Sequence, residues 1–217
     1  MDAADRRDRD DEPADHYGPW APRTPADVAT LLADYAGTWW IAGGWAIEAF
    51  TDVTRRHADI DPSVMGCELP LFRRYLAGRL HVWTATRGAL APLPPEDRPE
   101  GKADEVLPEG CGQVWTRRGP LEPWEYDVLI VPGTPEEWVY KRDPSIRKPM
   151  ADALWHRDGI SYLRPEIQLL YKAPGLRAKD QADFVATLPH LARDPRAWLR
   201  AALTSTLPSH PWLESLP

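Results

Sequence analysis

The chain has 217 residues and a formal net charge of −7, and its 43 % of hydrophobic residues can bury the core of one ordinary domain with a smaller appendage. No apolar run reaches the roughly 18 residues that cross a bilayer, which argues against a membrane span. No basic face supplies the phosphate neutralisation that a general nucleic-acid binder needs, whereas an acidic chain suits a small cationic partner.

Cys67 and Cys111 lack metal-ligand spacing and read as reduced thiols of a cytoplasmic protein. The eleven tryptophans are expected mainly in the core or on cleft walls.

Residues 1–22 mix charges without apolar periodicity, carry no apolar signal segment, and are expected to be a disordered leader. Thr24-Pro25-Ala26-Asp27 reads as a helix start, with Val28, Leu31, Leu32 and Tyr35 at helical spacing and Gly37 as the stop. Thr38 to Ala42 reads as a strand, Gly43-Gly44 breaks it, and Trp45 to Phe50 follows as a short helix. Residues 59–65 alternate as a strand, with Pro62 arguing for an edge position or an early end. A helix at Leu69–Leu76 and a strand at Leu80–Ala85 come next, then a long acidic, proline-rich loop over 87–110. Strands are expected at 112–117, 124–131 and 137–141, and helices at 165–172, 179–188 and 195–203. The reading is an α/β domain over 23–143, followed by a smaller, mostly helical part over 144–217.

The chemistry centres on Gly43-Gly44, a short helix, then Asp59-Ile60-Asp61. Carboxylates at i and i+2 on a strand share a face, while Ile60 turns to the core. Two ionised acids side by side repel unless cations lie between them, and magnesium accepts carboxylate and phosphate oxygens together. The glycine pair offers bare N–H groups at a helix start, where a phosphate can approach. Arg55 and Arg56 are candidates to steer a triphosphate, with a solvated pair as the alternative. His57 reads as an exposed loop histidine. Glu166 suits a helix start through the helix dipole alone. Lys172 closes an apolar helical stretch, from which snorkelling to solvent is the plain expectation.

The stretch WWIAGGWAIEAF…RRHADID resembles the signature of the polymerase-β-like nucleotidyltransferases, above all the small bacterial aminoglycoside and lincosamide nucleotidyltransferases. The resemblance continues in EEWVYKRDPSIRKPM, DGISYLRPEIQLLYKA, KDQADF and HPWL, and so spans most of residues 38–213. It implies a mixed sheet with helices and a helical C-terminal part. It implies that Gly43 and Gly44 hold a nucleoside triphosphate, that Asp59 and Asp61 bind magnesium, and that a later strand carries a third carboxylate. Asp127 of WEYDVLIVP is the match for that third acid, as metal ligand, general base or both; it adjoins the apolar run Val128-Leu129-Ile130-Val131, where an unpaired acid is costly, whereas its competitor Glu125 lies toward the strand's start, where exposure is expected. Lys172 of LLYKA, and Lys179, would meet phosphates or the nucleotide.

The implied reaction moves AMP from ATP to a hydroxyl of a small acceptor such as an aminoglycoside antibiotic, with two magnesium ions bracketing the attacking and leaving oxygens. Glu122, Glu125 and Asp127, close in sequence, are expected to form an acidic pocket for a cationic acceptor. The alternatives are a toxin acting on tRNA or protein, and a non-catalytic nucleotide-binding member of the fold. The chain departs from the family pattern at Ala58, where an additional Asp is common, and at Pro62, where an aliphatic residue is usual.

Overall fold

The computed structural model describes residues 17–94 and 107–217. Most of the expected leader, and residues 95–106 of the expected long loop, lie outside the described residues.

The core is an eight-stranded mixed sheet with helices on both faces. In chain order its strands are β1 (Trp39–Ile41), β2 (Pro62–Met65), β3 (His81–Thr86), β4 (Ala89–Pro92), β5 (Gln113–Arg117), β6 (Tyr126–Val131), β10 (Leu154–Arg157) and β11 (Ile160–Leu163). Their spatial order is β10-β11-β1-β2-β6-β5-β3-β4. The β1–β11 and β2–β6 pairs are parallel and the rest antiparallel. A smaller antiparallel sheet is formed by β7 (Gly133–Thr134), β8 (Glu137–Val139) and β9 (Arg147–Pro149).

Two apolar clusters cover the two faces. One packs α1 (Pro25–Leu31) and α3 (Leu69–Leu76) on Val64, Val82, Val114, Tyr126, Val128 and Ile130. The other packs α5 (Pro165–Lys172), α6 (Ala178–Thr187) and α7 (Arg193–Thr206) against Trp40, Met65, Val131 and Trp138. Helix α2 (Gly43–Thr51) contributes Ala46 to the first cluster and Ile47 to the second; α4 (Met150–Ala153) is a single turn. Strand alternation therefore sends Val128 and Ile130 to one face, and Asp127, Leu129 and Val131 to the other.

Local chemistry sets the element ends. Thr24 and Asp27 form a capping box at α1, with Pro25 at its start. The β10–β11 hairpin turns on Asp158 and Gly159, both at positive φ (51° and 77°), the conformation Asp-Gly supplies in tight hairpins.

Three expectations need correction. Strand β2 starts at Pro62 rather than residue 59 and lies inside the sheet between β1 and β6, not at an edge. A first strand position tolerates the missing N–H. The boundary at residue 144 cuts through the small sheet, and the β10–β11 hairpin joins the main one, so the change to helix comes at Pro165. Residues 17–22 are not a free leader. Trp124 donates its backbone N–H to the Pro19 carbonyl at 2.9 Å and its indole N–H to the Tyr17 carbonyl at 2.7 Å. Trp20 stands edge-on to Trp115, with ring centroids 4.9 Å apart. A lone tryptophan between prolines has no periodicity to reveal it, yet its ring area suffices to dock the segment.

A chain beginning at Arg23 loses these hydrogen bonds and ring contacts. Its stability should fall by about 1–3 kcal/mol, a drop of several degrees in melting temperature for a chain of this size. Thermal unfolding of chains starting at Tyr17 and at Arg23 checks this, and equal melting temperatures would refute it.

Candidate active site

The sheet gathers three acids. The segment before β2 runs between its neighbours, with the Ala42 N–H donating to the Asp61 carbonyl at 2.9 Å and the Asp127 N–H donating to the Ile60 carbonyl at 3.2 Å. Ile60 is fully buried in the first cluster. Asp59 and Asp61, on either side of it, face the other way, where Asp127 also points. One carboxylate oxygen from each of Asp59, Asp61 and Asp127 lies within 4.8 Å of the other two. Pro62 does not disturb this convergence.

The cluster is electrostatically uncomfortable. Burial pushes Asp127 well above the ordinary carboxylate range, and Asp61 and Asp59 push it further. Burial, then Asp59, raises Asp61 to about 7, opposed by the positive charges of Lys172, Lys179 and Arg177. Oδ1 of Asp127 is buried and has no hydrogen-bond partner among the described residues. Three hard oxygen donors in mutual repulsion, one of them an orphan, fit a divalent cation such as magnesium.

The glycine pair is built into this cluster. Gly43 has φ +68°, and a Cβ there would lie 1.8 Å from Asp61 Oδ2, so only glycine admits both the backbone turn and the carboxylate. Its N–H donates to Gln168 Oε1 at 2.8 Å. A Cβ on Gly44 would lie 2.1 Å from Arg55 Nη2 and 2.8 Å from His57 Nδ1, which places both side chains over the start of α2. The N-cap position is Ala42, which has no capping side chain of its own, so Gln168 is what meets the first helical N–H.

His57 is not an exposed loop residue. Its side chain is 6 % exposed, bonded through Nε2 to Glu48 Oε2 at 2.7 Å, and stacked on Trp45 with centroids 4.3 Å apart. Burial lowers its pKa, and the Glu48 hydrogen bond opposes that shift.

Arg55 is anchored as well. It donates from Nε to Asp183 Oδ1 at 3.2 Å and from Nη2 to Asp183 Oδ2 at 3.4 Å. Lys172 does not snorkel: it is buried, with Nζ 2.9 Å from Asp183 Oδ2 and 3.4 Å from Asp180 Oδ1. The sequence had singled out neither Gln168 nor Asp183. The spacing of Asp180 and Asp183 in KDQADF, on one face of a helix, was the available signal for the latter.

Glu125 is separate from the cluster. It is buried rather than exposed, and its carboxylate is clamped by Arg23 at 2.7 Å and Arg118 at 3.0 Å. Glu122 is exposed. Glu122, Glu125 and Asp127 therefore do not form one acidic pocket, because two arginines neutralise the middle member. Glu166 is buried against Lys148 at 3.0 Å, so an ion pair rather than the helix dipole alone explains it. The thiols of Cys67 and Cys111 are free.

A cavity of about 910 Å³ opens on the Asp127 face of the sheet, beside Trp115, which stands opposite Asp127 on β5. Gln113, Leu90, Cys111, Lys141 and Arg142 also line it.

Two expectations follow. Gly43→Ala should abolish function, because the new methyl group displaces the Asp61 carboxylate; function on a par with the unmodified protein would show that Asp61 can move freely. The second concerns pH in the presence of a chelator. Carboxyls whose pKa is raised on folding stabilise the fold while protonated, and that stability is lost as pH rises through the folded value, about 7 for Asp61. The melting temperature of metal-free protein should therefore fall from about pH 5 to about pH 8, and fall less in Asp127→Asn. An unchanged slope in that variant would show that the acids are not coupled.

The sequence profile of the Aminoglycoside-2''-adenylyltransferase family matches residues 26–80. That stretch holds the glycine pair, Arg55, Asp59 and Asp61, while Asp127 and Lys172 lie beyond it. Among solved structures, the chain is similar to the crystal structure of ANT(2'')-Ia in complex with adenylyl-2''-tobramycin. The match has TM-score 0.50 and 14 % identity, over 82 % of this chain and 94 % of that one. No curated protein matches the chain in sequence. The chain thus resembles the aminoglycoside nucleotidyltransferases in sequence over its first helices and strands, and in fold over most of its length.

Proposed function

We propose that the protein is a magnesium-dependent nucleotidyltransferase that moves AMP from ATP to a hydroxyl of a small acceptor, with aminoglycosides as the acceptor class to test first. The observation that carries this reading is the convergence of Asp59, Asp61 and Asp127 within 4.8 Å, beside a glycine pair at the start of α2.

Asp59, Asp61 and Asp127 would hold the metal. A divalent ion there supplies Lewis-acid polarisation of the phosphoryl oxygens and neutralises charge on the leaving pyrophosphate. The chain's own groups do the rest. The Gly44 edge of α2, with Arg55 above it and Lys172 behind, receives the triphosphate. Asp127, with one carboxylate oxygen free of hydrogen bonds, takes the proton of the attacking hydroxyl. The acceptor enters from the 910 Å³ cavity beside Trp115, on the same sheet face as Asp127. The resemblance to aminoglycoside-modifying enzymes favours an aminoglycoside acceptor, and residues 87–94 and 107–112 around the cavity would set its identity.

The test is a pyrophosphate-release screen with ATP, GTP, CTP and UTP against aminoglycosides and lincosamides. Asp61→Asn and Asp127→Asn should each lower turnover about a hundredfold or more while the fold survives. Glu125→Gln should leave turnover much less affected and cost stability instead, on the order of 1–3 kcal/mol, because Arg23 and Arg118 lose a charged partner. If Glu125→Gln proves the more damaging to turnover, the proton acceptor has been misassigned.

A further inference from the structure

Asp183 lies on α6, far along the chain from the metal site, and its side chain is only 5 % exposed. It grips the Arg55 guanidinium with both oxygens, at 3.2 and 3.4 Å, and holds Lys172 Nζ at 2.9 Å. Among the described residues it is the carboxylate that meets both cations. Asp180, one helical turn earlier, instead forks with Arg177 at 2.8 and 3.2 Å and reaches Lys172 only at 3.4 Å. The place where Asp183 holds Arg55 is also specific. Nη2 of Arg55 lies 2.1 Å from where a Cβ on Gly44 would be, over the start of α2.

We propose that Asp183 is a positioning residue for the triphosphate: it aims Arg55 and Lys172 at the Gly43-Gly44 edge. The inference rests on the nucleotidyltransferase reading. Two effects of removing its charge have opposite signs. By charge alone, neutralising an acid near a polyanion strengthens binding. By positioning, Arg55, which leaves a segment with no helix or strand over residues 52–61, regains rotamer freedom, and binding weakens. Positioning dominates here because the contact is a half-buried two-point fork, whose directional hold on a planar guanidinium a lysine cannot reproduce.

The experiment measures binding of ATP with magnesium, and of inorganic tripolyphosphate, by equilibrium dialysis, alongside pyrophosphate release and the melting temperature of each variant. Asp183→Asn should weaken both ligands and raise the KM for ATP about tenfold, with a smaller change in kcat. Combined with Arg55→Gln, it should cost less than the sum of the two separate effects, the remainder being its hold on Lys172. Arg55→Lys keeps the charge but loses the fork, and should weaken binding similarly, which serves if Asp183→Asn does not fold. If the unmodified protein binds ATP while Asp183→Asn and Arg55→Lys bind it equally or more tightly, the positioning role is overturned and the nucleotidyltransferase reading stands. If the unmodified protein binds neither ligand and releases no pyrophosphate, both fall together.

Discussion

Three carboxylates that repel one another are held together at one end of the sheet, and much of the surrounding structure can be understood as making that possible. Burial, with that repulsion added to it, pushes Asp127 well up and Asp61 to about 7. Backbone bonds prevent the acids from separating. Ala42 and Asp127 tie the segment carrying Asp59 and Asp61 between β1 and β6. Ile60, sunk in the opposite core, fixes which way its two neighbours face. Gly43 completes the arrangement, since any side chain there would occupy the space of the Asp61 carboxylate.

A second charge system balances the first. Lys172, Lys179 and Arg177 draw Asp61 back toward ionisation, and Lys172 and Arg177 are themselves held by Asp180 and Asp183 on α6. Cations buried without partners would cost several kcal/mol each. The carboxylates of α6 offset that cost, so positive charge is held close to Asp61. Acids, cations and acids thus alternate from the sheet to the C-terminal helices, and this charge system ties those helices to the acid cluster.

Some of this was legible in the sequence and some was not, for identifiable reasons. The glycine pair and the Asp-Ile-Asp segment lie close together, so strand alternation and turn chemistry pointed to two acids on one face near a helix start, and the resemblance to the nucleotidyltransferases supplied their expected roles. Asp127 stood out because an acid beside Val128-Leu129-Ile130-Val131 has no structural reason to be there. Gln168 and Asp183 meet Gly43 and Arg55 across 125 and 128 residues, and no local pattern encodes such pairings. The β10–β11 hairpin is a different case: Asp158-Gly159 between apolar flanks is a hairpin signal that the helical reading of 144–217 passed over. The exposure expected for Glu125 and His57 failed because their partners, Arg23, Arg118 and Glu48, are brought up by the fold.

Pro62 shows how position within an element decides the effect of a residue. In the middle of a strand it would remove a ladder bond and clash with its neighbour. As the first residue of β2 it sits where the extended chain enters the sheet, and the bonds that matter for the acids fall just before it, at the Ile60 and Asp61 carbonyls. Those are acceptors, which proline's missing N–H does not touch. The ring also restricts the backbone of Asp61, since a residue preceding proline is confined to extended conformations. Extended backbone is what strand alternation needs to turn Asp59 and Asp61 to one face. A residue that reads as a flaw beside the acid cluster therefore helps to fix the conformation that brings the acids together.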